Sequence, residues 1–220
     1  PGKNFVNPAL AARAYLFAWA GIMSSWVLPG SRTPLVGAVD VMTYPTPMSF
    51  LHTNDLAGLQ EVYDLGDMFL GKIGGSMGEV SALCLLLGFL FLLGRRVITW
   101  TIPVSYVGTV AVLTFLFPRG NDPVTWMLYN ILGGGLMLGS IFMATDYVTS
   151  PVSRRGQLLY GFGCGALTVF IRYFGSYTEG VCYSILCMNL CVWLIDKYIK
   201  PRRFGVARKP IFRRKGAAEK

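Results

Sequence analysis

Two stretches of this 220-residue chain carry no charge at all: Val97–Phe117, between Arg95/Arg96 and Arg119, and Pro123–Thr145, between Asp122 and Asp146. Each reaches the roughly 20 residues that a helix needs to cross a hydrocarbon layer. Inside such a layer every backbone amide must find its partner within the segment or in a closed barrel, and long apolar runs meet that demand as helices. Four further apolar runs sit at Pro8–Leu28, interrupted by Arg13, at Glu79–Gly94, at Gly156–Ile171 and at Gly180–Ile199, the last carrying Asp196 and Lys197. The expected fold is therefore an all-α integral membrane protein of about six transmembrane helices. Composition agrees, because 14% of residues are charged, well under the share of about 25% in soluble domains.

The formal net charge of +9 is concentrated at one end: residues 200–220 hold nine Lys and Arg and one acid. A basic tail behind the last apolar run reads as a cytoplasmic terminus whose nearest partner is anionic lipid, not nucleic acid. Counting back through the loops, Arg154/Arg155 and Arg95/Arg96 fall on the same side as the tail, while Arg119/Asp122 and Arg172/Glu179 fall on the other. Cys84, Cys164, Cys182, Cys187 and Cys191 all lie inside apolar runs, where cysteine behaves as a small hydrophobe. His52 is the single histidine, so no hydrolytic triad can be assembled, and neither a zinc-ligand spacing nor a phosphate-binding glycine loop is present. No side chain is assigned a catalytic role, and any redox chemistry has to come from a bound cofactor.

The connection from about 29 to 78 is long for a helix hairpin. It carries Pro29, Pro34, Pro45 and Pro47 and the acids Asp40, Asp55, Glu61, Asp64 and Asp67, and loops of this length usually have a function. Near its end Leu65–Gly71 reads as a short apolar segment running into Gly74, Gly75 and Gly78, and Gly133-Gly134-Gly135 interrupts a later run in the same way. Glycine breaks in paired positions point to an inverted-repeat helical bundle with broken helices around a midplane site; close helix packing at glycine is the plainer alternative. A helix follows almost at once on Pro1-Gly2-Lys3-Asn4, which reads as the C-terminal part of a longer chain.

Three segments carry a resemblance: Gly2 to Leu10 (Gly-Lys-Asn-Phe-Val-Asn-Pro-Ala-Leu), Val39 to Pro47 (Val-Asp-Val-Met-Thr-Tyr-Pro-Thr-Pro) and Phe142 to Pro151 (Phe-Met-Ala-Thr-Asp-Tyr-Val-Thr-Ser-Pro). From residue 1 to about Gly205 the chain resembles the family that joins the D subunit of the Rnf complex to the B subunit of the sodium-pumping NADH:quinone oxidoreductase, without that family's first helices. The stretches Ile171–Gly180 and Leu194–Arg202 favour the Rnf branch.

The resemblance implies a membrane domain over residues 1–205 and a basic cytoplasmic tail over 206–220. It implies an FMN joined by a phosphoester to Thr46 in the outer loop, with Asp40 as the leading acid of the attachment motif and Thr43 as its Ser/Thr. Tyr44 and Pro45 stand where that motif has glycine and alanine. It also implies a non-covalent riboflavin near Asn4 and Asn7, although Asn7-Pro8 reads equally as a helix N-cap. The implied protein sits in the cell inner membrane and passes electrons across it, coupled to sodium or proton export, alongside the A, B, C, E and G subunits of Rnf, with a flavin transferase for maturation. Asp146 and Asp196, at the ends of apolar runs, are candidate ion-path residues or interfacial structural acids, and Glu79 is a further embedded acid. Arg172 is a candidate contact for flavin phosphate or a neighbouring subunit. A solute channel or transporter, or a scaffold without its own redox centre, is the competing reading.

Overall fold

The computed structural model describes residues 4–17, 19, 45–73, 75, 78–120 and 122–199. Among these, regular structure is helical throughout: α1 (Pro8–Phe17), α2 (Pro47–His52), α3 (Leu56–Val62), α4 (Leu65–Leu70), α5 (Ala82–Gly94), α6 (Thr101–Leu116), α7 (Pro123–Leu132), α8 (Leu136–Leu138, continued by a π-helical turn at Gly139–Met143), α9 (Arg154–Phe174) and α10 (Val181–Tyr198). Each of the six apolar runs is mainly helical over its described length. Asp40, Thr43, the first run beyond Phe17 apart from Trp19, and the tail 206–220 lie outside the described residues.

Local chemistry explains the helix starts. Ser81 and Ser153 accept from the backbone N–H groups of Cys84 and Gly156, and Asp55 and Asp64 do the same for Gly58 and Gly66. Each satisfies a donor that the first turn leaves without an intrahelical partner. Pro47 and Pro123 open α2 and α7, where the missing amide N–H costs nothing.

The packing centre is the α6–α9–α10 group, with Tyr106, Val110, Tyr160, Cys164 and Ile185 fully enclosed and Leu10 of α1 laid against them. On α9, Gly161 and Gly165 present bare backbone to α6. A methyl group at Gly161 would lie 2.8 Å from Ser105 Cβ and 3.0 Å from the Ile102 carbonyl; one at Gly165 would lie 2.7 Å from Thr109 Cβ and 2.9 Å from the Tyr106 carbonyl. This is small-residue packing at i and i+4, the contact by which apolar helices associate without a hydrophobic driving force. A second cluster joins α2–α4 to α7 through Met48, Leu51, Leu59, Tyr63, Met68, Trp126 and Tyr129. A third joins α5 to α8 through Leu85, Met137 and Ile141.

The exterior is apolar as well. Leu87, Leu90 and Phe91 on α5, Val104, Val112 and Phe115 on α6, Phe162 and Phe170 on α9 and Leu190 and Trp193 on α10 all point outward, Leu90 at 61% and Phe91 at 68% exposure. Water does not support so continuous a greasy surface. Among the described residues, α10 by itself is long and apolar enough to cross a membrane, and α7 with α8 qualifies as a broken pair bent by 63°.

Candidate functional site

The bend between α7 and α8 organises the most polar region of the interior. Gly133 leaves the helix with extended backbone, Gly134 sits at φ +66°, a region that a side chain disfavours, and the chain re-enters helix at Leu136. All three glycines pack closely against side chains from other elements. Met48 of α2 lies against Gly133 and Gly134, the Arg172 guanidinium against Gly134, and Glu79 with Arg13 against Gly135. The break expected from the Gly133-Gly134-Gly135 motif is therefore present, and it is a junction of four elements.

Two arginines share this junction and make different contacts. Arg13 Nη2 donates to Glu79 Oε2 at 3.1 Å and to Glu179 Oε2 at 3.2 Å, a three-charge cluster drawn from α1, the α4–α5 connection and the α9–α10 loop. Burial, followed by the nearby Glu79 carboxylate, pushes the Glu179 carboxyl up to about 6, although Arg13 opposes the shift. Arg172, 4% exposed, points inward from the last turn of α9. Its Nη1 donates to the Asn130 carbonyl at 2.6 Å, Nη2 to the Gly133 carbonyl at 3.3 Å and Nε to the Glu179 carbonyl at 3.1 Å. These bonds cap the carbonyl end of α7. Arg172, for which the sequence suggested a contact to flavin phosphate or a neighbouring subunit, is buried and bonded within the chain. Glu79, an embedded acid by sequence, is a buried ion-pair partner of Arg13.

Thr46 lies beside this junction. It is the N-cap of α2 with φ −68° and ψ 153°, half-buried, and its side chain makes no capping hydrogen bond. Its carbonyl instead accepts from the Ser49 amide at 2.9 Å and from Ser49 Oγ at 2.7 Å. Tyr63, itself held through its carbonyl by the Tyr129 hydroxyl, donates to the Pro45 carbonyl at 3.1 Å and so fixes the residue before Thr46. At the other end of α2, His52 Nε2 is 3.0 Å from the Gly175 carbonyl at the C-cap of α9. The Thr46 segment is pinned at both ends.

Asn4, Asn7 and Asp146 come together elsewhere. They line a cavity of about 420 Å³ with Pro8, Leu92, Ile98, Ile141, Phe142, Thr145, Tyr147 and Val148. Asn7 is committed on both sides of its amide: Oδ1 accepts from the Ala9 N–H at 3.0 Å, as an N-cap does, and Nδ2 donates to the Met143 carbonyl at 3.3 Å. Asn4 is exposed. The Asp146 carboxylate accepts from Thr149 Oγ1 at 3.1 Å. Asp196 does not line the cavity; its carboxylate accepts from the Val152 N–H at 3.3 Å, tying α10 to the loop before α9. Asp196 thus marks the N-terminal end of α9, while Thr46, Arg172 and Glu179 gather at its C-terminal end. The two ends are about 30 Å apart at 1.5 Å per residue over the 21 residues of α9.

Residues 1–205 match the NQR2, RnfD, RnfE family. Among similar proteins, the D subunit of the Na(+)-translocating ferredoxin:NAD(+) oxidoreductase complex of Acetobacterium woodii is 43% identical, covering 94% of this chain and 61% of its own length. The proton-translocating counterpart of Clostridium ljungdahlii is 41% identical, with 94% and 63% covered. The D subunit of the ion-translocating oxidoreductase complex of Stutzerimonas stutzeri is 39% identical, with 93% and 64% covered. The chain thus spans less than two thirds of the length of these relatives.

Proposed function

Because the chain belongs to the NQR2, RnfD, RnfE family, we propose that it is the D-type membrane subunit of an ion-translocating ferredoxin:NAD oxidoreductase. In this reading it crosses the inner membrane with about six helices and works beside the A, B, C, E and G subunits. It carries a covalent FMN on Thr46, added by a flavin transferase, and a riboflavin near Asn4. A flavin bound in these places supplies one- and two-electron transfer, and the protein's part is to hold it and tune its surroundings.

The observation that carries the flavin assignment is Thr46 itself. Its hydroxyl is not used in capping α2, its neighbour Pro45 is clamped by Tyr63, and the segment is braced by His52. A hydroxyl on a fixed backbone suits a phosphoester link, because little further ordering is needed on attachment. Asn4 and the roughly 420 Å³ cavity support the second flavin, since ligand sites commonly run from about 300 to 1,000 Å³. Asn7 contributes to this site by shaping its wall, because both sides of its amide are already bonded within the protein. Asp146, on the same wall, is placed to hold a proton or cation beside that flavin, and the export of sodium or protons belongs to this proposal. Asp196 anchors a loop.

The test is direct. The chain is co-expressed with a flavin transferase, denatured on a gel and read for flavin fluorescence. Wild type and Thr43→Val are expected to fluoresce and Thr46→Val to be dark. A dark wild type, under conditions in which a related D-type protein fluoresces, removes the covalent flavin from the proposal.

A further inference from the structure

The oxygens around Arg172 are all neutral: the carbonyls of Asn130, Gly133 and Glu179, with Asn130 Oδ1 at 3.4 Å from Nη1. Among the described residues no carboxylate oxygen comes within 4.0 Å of this guanidinium, since Glu79 and Glu179 both turn their carboxylates to Arg13. A fully interior positive charge whose direct partners are all carbonyls is unusual, because buried charges are ordinarily paired with an opposite charge in contact. Carbonyl oxygens at the C-terminal end of an interrupted helix are, however, the groups with which broken membrane helices coordinate a bare monovalent cation. The negative end of the α7 dipole adds to the same pull. Gly134 makes the turn at φ +66°, and the Arg172 guanidinium packs against it in ordinary van der Waals contact.

We infer that Arg172 is a tethered cation: its guanidinium occupies a carbonyl-lined monovalent-cation site at the α7–α8 break, which it closes to free ions. The four oxygens in direct reach are neutral and the Glu179 carboxylate acts on the guanidinium only from beyond contact, so the site suits a singly charged ion and does not offset the dehydration of a divalent one. Removing the guanidinium should therefore open a site for a small monovalent cation or for free guanidinium. This inference stands apart from the flavin assignment, and its test reads neither flavin nor turnover.

The measurement is thermal unfolding of the purified complex carrying this chain. Arg172→Ala is compared with wild type in chloride salts of sodium, potassium, choline and low-millimolar guanidinium at equal ionic strength. Wild type is expected to show the same Tm in all four. Arg172→Ala is expected to have a lower Tm in choline and to recover several degrees with guanidinium, sodium or potassium, the gain rising with the logarithm of concentration as site binding requires. A Tm for Arg172→Ala that is as high in choline as in the other salts overturns the inference. If Arg172→Ala does not assemble, Arg172→Lys is read instead. An ammonium keeps the tethered charge without the fork, so a stable complex indifferent to the salt supports the inference. Failure of Arg172→Lys to assemble as well shows that fork geometry, and not charge, holds the break, and overturns it.

Discussion

Replacing Gly161 or Gly165 by alanine tests whether the α6–α9 contact sets the stability of this bundle. In an unhindered helix the change would stabilise by about 0.8–1 kcal/mol, because glycine is the weaker helix former. Here the new methyl at Gly161 meets Ser105 Cβ at 2.8 Å and the Ile102 carbonyl at 3.0 Å, and at Gly165 it meets Thr109 Cβ at 2.7 Å and the Tyr106 carbonyl at 2.9 Å. None of these atoms can rotate aside. Restoring a carbon–carbon separation of about 3.5–4.0 Å forces the helices apart by roughly 1 Å, and overpacking of this kind costs about 1–3 kcal/mol. The net expectation is a loss of about 1 kcal/mol for each substitution. The double variant should lose less than the sum, since one separation relieves both clashes.

Gly163 is the internal control. It lies on the same helix but faces only the end of the Met188 side chain, which can swing away, so Gly163→Ala is expected to be neutral or stabilising. At about 2–4 °C per kcal/mol for a domain of this size, thermal scans of the detergent-purified complex separate the two classes. Equal Tm gains from all three single variants would refute the argument.

Tyr106→Phe should cost only about 1 kcal/mol, because Thr168 and Ser184, its partners at 2.7 and 2.9 Å, can still donate to the Cys164 and Val181 carbonyls, so neither hydroxyl proton is left without an acceptor; a drop of more than about 8 °C in Tm would contradict this. Glu179 sets a pH dependence. Its folded-state carboxyl is raised from an ordinary value near 4.5 to about 6, so between those values the folded chain holds a proton that the unfolded chain has released. The stabilisation from this group is complete below about pH 4.5 and is lost as pH rises through 6. Glu179→Gln removes that titration, and the Tm of the variant minus that of wild type should rise between pH 4.5 and 6.5; a flat difference contradicts the assignment.

Much of this molecule is legible before it folds. Uncharged runs of about 20 residues have one stable form in hydrocarbon, so Val97–Phe117 and Pro123–Thr145 could be read as helices from composition, and the triple glycine at 133–135 could be read as an interruption of the second. The contact that Gly161 and Gly165 make with α6 emerged only with the packed helices. The chemistry of the junction depends on contacts that no local pattern encodes. Arg13 finds Glu79 across 66 residues and Glu179 across 166, and charges so distant in sequence meet only when α1, α5 and α10 have packed. Arg172 read from the sequence as a contact for flavin phosphate or a neighbouring subunit, because it closes a helix end next to a loop. In the folded chain the bend between α7 and α8 turns a row of carbonyls toward it, and a buried guanidinium is tolerable only where such acceptors already wait.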